Sequence, residues 1–102
     1  MTRIIYGNVS AAGAKTGGVG FTSKRTTTGR YEITFGQAYS EAPAANVTLL
    51  GDGAPTGTCD NTVNLKISTT KLSVFITDLP TSSGQTEHTN TNNAFTFMVI
   101  GQ

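Results

Sequence analysis

Three segments of this chain alternate apolar and polar residues with a period of two, a pattern that suits a strand with one buried face and one wet face. Tyr31, Ile33 and Phe35 alternate with Arg30, Glu32 and Thr34. Val63, Leu65 and Ile67 alternate with Asn64, Lys66 and Ser68, and Phe95, Phe97 and Val99 repeat the pattern near the C-terminus. Weaker strand patterns run from Ile4 to Ser10, Gly20 to Thr26, Asn46 to Leu50 and Leu72 to Thr77. The last holds an unbroken Val74-Phe75-Ile76, which suggests burial on both faces. About seven strands are predicted.

Turn signals separate them: Ala12-Gly13, Gly17-Gly18, Thr28-Gly29, Gly51-Asp52-Gly53 and Pro80 to Gly84. Short strands broken at regular intervals, with no apolar repeat long enough for a helix, predict an all-β fold. The expected architecture is an antiparallel β-sandwich, jelly-roll-like, forming one domain over residues 1–102. Thr69-Thr70-Lys71 leaves room only for a tight hairpin between Ile67 and Leu72, so those two strands should pair antiparallel. The longest irregular stretches, residues 51–62 and 80–93, flank that hairpin, and loops on a rigid scaffold are the usual place for binding residues.

The chain carries seven basic and six acidic residues, a formal charge of +1, scattered along its length. No field for a polyanion is visible in that distribution, so nucleic acid is not an expected partner. Lys24, Arg25 and Arg30 lie close in sequence and read as a solvated strand face rather than a phosphate or sialic-acid contact. The one cysteine, Cys59, excludes an internal disulfide. Residues 1–6 lack the apolar stretch of a signal peptide, and no apolar run is long enough for a spanning helix. The expectation is a chain made in the cytoplasm without a signal peptide and without membrane insertion.

Catalytic chemistry finds little to work with. A nucleophilic triad needs a histidine, and the only one, His88, sits in the polar stretch Gln85-Thr86-Glu87-His88-Thr89-Asn90. Cys59 has no second cysteine at metal spacing, and the Asp52 to Asp60 loop matches no EF-hand pattern. Gly17-Gly18-Val19-Gly20 is followed by no helix-forming segment that could complete a phosphate loop. The chain is therefore expected not to be an enzyme and to need no cofactor or metal.

The run Gly18-Val19-Gly20-Phe21-Thr22-Ser23-Lys24-Arg25, then Thr28-Gly29-Arg30-Tyr31-Glu32-Ile33-Thr34-Phe35 and Ala42 to Thr48, resembles the C-terminal β-sandwich module of bacterial and phage tail-fibre-like proteins. The closing segment Phe95 to Gly101 is similar to the last strand of H-type lectin domains. Both resemblances imply a small trimeric sandwich. The first implies a receptor-binding tip on a virion or extracellular surface structure, and the second implies sugar binding, with N-acetylgalactosamine as an example. No lectin contact residue is carried over.

The expected function is a non-catalytic surface-recognition module, a homotrimeric fibre-type tip binding a cell-surface glycan or receptor. The alternative is a trimerisation cap with no ligand of its own. Candidate contacts by loop position are Asp52, Asp60, His88, Asn90, Asn92 and Asn93, with Tyr31 and Tyr39 as stacking platforms.

Overall fold

The alternating segments become strands that pack their apolar sides together. In the computed structural model, which describes residues 1–51, 61–78 and 89–102, two antiparallel sheets form a sandwich. The strands are β1 (Arg3–Val9), β2 (Lys15–Val19), β3 (Phe21–Thr27), β4 (Arg30–Phe35), β5 (Ala44–Leu49), β6 (Asn61–Ile67), β7 (Lys71–Asp78), β8 (Thr89–Asn90) and β9 (Phe95–Gly101). Sheet A runs β2-β1-β9-β5, and sheet B runs β3-β4-β7-β6. The two-residue β8 pairs with the end of β7, beyond the residues of β7 that β4 covers.

The expected all-β antiparallel sandwich is present, with a correction to the strand count: among the described residues eight strands form the two four-stranded sheets, beside the short β8, where about seven were expected. The addition is β2, whose Gly17-Gly18 reads as a turn in the sequence. In the structure these glycines pair with Asn8 and Gly7 of β1. Val19 then ends β2 and Phe21 begins β3, so the chain passes from one sheet to the other through Gly20 alone. That corner needs φ of +88° at Gly20, a conformation that a side chain would strain. The predicted hairpin is present: β6 pairs antiparallel with β7, and Ser68 N–H donates to the Lys71 carbonyl at 2.9 Å.

Inward-facing residues of both sheets form one core, with Ile33, Leu72, Val74, Ile76, Phe95 and Val99 fully enclosed. Aromatic rings meet edge to face across it. Phe21 packs on Phe97 at 4.8 Å between centroids, and Tyr31 packs on Phe95 at 5.2 Å. Gly7 makes the first of these contacts feasible, because a Cβ there would overlap the Phe21 ring. Losing such a ring to alanine costs about 3–5 kcal/mol in a packed core.

Val74-Phe75-Ile76 is not buried on both faces as its apolar run suggests. Val74 and Ile76 enter the core, while Phe75 lies on the outer side of sheet B, partly covered by the Arg30 guanidinium at 5.3 Å from the ring. A cation over an aromatic face replaces the second protein layer.

Candidate functional site

Of the residues proposed from sequence, Asp52, Asp60 and His88 lie outside the described residues. Tyr31 and Tyr39 are core residues, 1% and 3% exposed, and neither ring is available for stacking on a ligand. Their place follows from strand phase: Tyr31 shares the inward side of β4 with Ile33 and Phe35, and Tyr39 packs against Phe35 at 5.3 Å. Asn90 is exposed on β8 opposite Thr77.

Asn92, exposed, and Asn93, partly buried, both make hydrogen bonds that tie the fold together. Asn92 Oδ1 accepts the Gly29 N–H at 2.9 Å. Asn93 Nδ2 donates to the Leu50 and Ala94 carbonyls at 3.0 and 2.6 Å, and its Oδ1 accepts from Asn61 Nδ2 at 2.8 Å. The Asn93 backbone N–H donates to the Tyr31 hydroxyl at 3.2 Å, and that hydroxyl donates to the Ala11 carbonyl at 2.7 Å. This latch ties the entry to β9 to β4, β6 and the β1–β2 turn. Burial raises the Tyr31 hydroxyl above its ordinary pKa of 10.0, against smaller opposing effects of the Asn93 N–H and Arg25.

The feature that sequence reasoning missed is the outer face of sheet A. Alternation along β1 sends Ile5 and Val9 inward and Ile4, Tyr6 and Asn8 outward. On β9, Phe95, Phe97 and Val99 go inward, and Thr96, Met98 and Ile100 go outward. Register then lines the outward residues into rows across the strands. Ala44, Ile100 and Ile4 form the first, and Asn46, Met98, Tyr6 and Val19 the second. Thr48, Thr96, Asn8 and Gly17 form the third.

The large side chains of this face are half exposed: Ile4 50%, Tyr6 54%, Val19 58%, Met98 46% and Ile100 42%. None of the three rows contains a charged residue. A shallow concavity of about 660 Å³ lies between Tyr6, Ile4 and Met98 on its apolar side and Asn46, Thr48 and Thr96 on its polar side. The signal was present in the sequence as Ile4-Ile5-Tyr6 and Phe97-Met98-Val99-Ile100, where apolar residues occupy both phases of a strand. These rows offer no carboxylate, amine, imidazole or thiol for acid–base or nucleophilic work. What the face can do is bury apolar surface against a matching one.

Comparison of the chain with protein-family models, with curated proteins and with solved structures gives no match.

Proposed function

We propose that this domain is a non-catalytic recognition module whose copies assemble through the outer face of sheet A, leaving the opposite side of the sandwich to meet a cell-surface glycan or receptor. The observation that carries this reading is the uncharged, half-exposed face built on Ile4, Tyr6, Met98 and Ile100. Protein interfaces concentrate aromatic residues and methionine and exclude charge from their centre, as this face does. A second copy is the occupant of choice because identical copies are kept apart chiefly by like charges, and these rows contain none.

Burying the exposed halves of five large side chains yields about 1 kcal/mol each. One copy thus contributes on the order of 5 kcal/mol, against an association cost of about 4–15 kcal/mol. Association should therefore depend on concentration and gain from every further copy. The homotrimer implied by the tail-fibre and lectin resemblances is the state assigned.

Light scattering across a dilution series tests it. The expected mass is three times the 10.6 kDa chain, falling toward one chain on dilution. A dimer would keep the assembly and remove the trimer. A monomer at every concentration would remove the assembly reading altogether.

A further inference from the structure

Sheet B turns a different surface to solvent. Its outward residues place one cation on each of four strands: Lys24 on β3, Arg30 on β4, Lys71 on β7 and Lys66 on β6. Lys24, Glu32, Ser73 and Lys66 fall in a single row across the sheet. Arg30 lies in the neighbouring row on one side of it and Lys71 in the row on the other. Glu32 is the only acidic residue among these outward positions and lies 3.6 Å from Lys24 and 3.4 Å from Lys71. Among the described residues the face therefore carries four positive charges against one negative, although the whole chain is only +1.

From this placement we infer that the outer face of sheet B binds a linear acidic polysaccharide. This names the ligand class for the recognition part of the reading above, and rests on that part alone. Four features select the class. The cations are spread, with Lys24 and Lys66 about 14 Å apart at three strand spacings. That separation suits a polymer with one carboxylate per sugar or per disaccharide better than a duplex with a charge every 1.7 Å or so. Glu32 at the centre would repel a dense phosphate array but leaves room for a sparse one.

The surface between the cations is made of Thr22, Thr34, Asn64 and Ser73, whose hydroxyls and amide offer both donors and acceptors, as sugar hydroxyls do. Base stacking finds little platform, because the one aromatic ring among the described outward residues, Phe75, is partly buried with the Arg30 guanidinium 5.3 Å from its centre. The two outer faces lie on opposite sides of the sandwich, so copies joined through sheet A would hold several such surfaces outward on one body, and weak contacts would multiply.

The test measures binding of polygalacturonate at low ionic strength, with neutral dextran and poly(U) as comparison polymers and light scattering on the same samples. Lys24→Gln with Lys66→Gln removes two charges from the face. Lys15→Gln with Arg25→Gln removes two charges away from it and gives the same net charge. The expected result is saturable, salt-sensitive binding to polygalacturonate and none to dextran, weakened about tenfold or more by the first pair and little by the second. Equal weakening by both pairs would reduce the effect to net charge and overturn the site. Tighter binding to poly(U) would overturn the polysaccharide class, and no binding to any polymer would overturn the inference. A monomeric chain that still binds polygalacturonate keeps this inference and loses the assembly reading. An assembled chain that binds nothing does the reverse.

Discussion

The two outer faces of this sandwich are made by the same device and end in opposite chemistry. On both sheets, alternation sends one set of side chains into a shared core and the other set outward. Sheet A turns out Ile4, Tyr6, Met98 and Ile100 with no charge among them. Sheet B turns out Lys24, Arg30, Lys66 and Lys71 around Glu32. The core needs neither arrangement, since it asks only that the inward phase be apolar. What fills the outward phase is therefore the place to look for function: one side is suited to dry contact and the other to a wet, charged partner.

The comparison breaks most visibly if a charge is placed on each face in turn. Met98→Lys puts an ammonium in the middle row of sheet A, where any apposed copy would have to bury it at a cost of several kcal/mol. Light scattering should then show a mass of one chain. Ser73→Lys adds the same charge to the middle row of sheet B and should leave the mass of the assembly unchanged. If both variants dissociate it, or neither does, the faces do not differ in the way proposed.

Both faces ride on one framework, and the next largest effect should strike that framework without favouring either side. Asn93→Ala removes three side-chain hydrogen bonds that bind the approach to β9 to Leu50, Ala94 and Asn61. The expected loss is about 2–4 kcal/mol in urea unfolding at a fixed protein concentration, because two of the partners left behind, Ala94 and Asn61, are partly buried. The folded protein should keep its mass and its polymer binding. A selective loss of one of these would show that the latch serves a face rather than the sandwich.

How far the sequence foretold these faces depends on what alternation can express. Strands β4 and β6 are legible because their inward and outward phases differ sharply, as Tyr31-Glu32-Ile33-Thr34-Phe35 shows, and β9 is legible from Phe95-Thr96-Phe97 at its start. Strand β2 is hidden because Gly17 and Gly18 carry no phase and resemble a turn. The outer face of sheet A escapes a search for single-phase patterns because β1 and β9 are apolar in both phases. Charges scattered from Lys24 to Lys71 along the chain come together on sheet B only through register, which no local pattern reveals. Loops and aromatic rings suggest binding, and only packing shows that Tyr31 and Tyr39 lie in the core and that the Asn93 amide is engaged in a latch.

Tyr31 offers a finer test of that latch. Tyr31→Phe keeps the ring in the core beside Phe95 but removes the hydroxyl that joins Ala11 to Asn93. A loss of about 1–2 kcal/mol is expected near neutral pH. The native protein should also lose stability as the pH climbs above about 10. Burial holds the folded hydroxyl's pKa above that of the unfolded chain, so the unfolded state releases its proton first. The contribution is complete below the unfolded value and disappears as the pH passes through the folded one. Urea unfolding of both proteins from neutral to strongly alkaline pH should show their difference shrinking at the alkaline end. A constant difference would mean that the hydroxyl titrates alike in both states.

The smallest effect is the most discriminating for sheet B. If its charges existed to hold β3, β4 and β7 together, Glu32→Gln would be costly, since it removes both ion pairs of the face. Those pairs are long and their lysines are exposed, 69% for Lys24 and 48% for Lys71, so solvent screens them. Pairs of this kind contribute about 0.2–1 kcal/mol at most, and freeing two lysines from their geometry returns part of it as entropy. The expected change in unfolding free energy is within about 0.5 kcal/mol. Polygalacturonate binding should tighten at the same time, because the face's one repulsive charge is gone. Stability unchanged with tighter binding separates a surface kept for a partner from one kept for the fold. A large loss of stability with no gain in binding would assign the charges to the sheet and leave only the uncharged face as a surface with work beyond it.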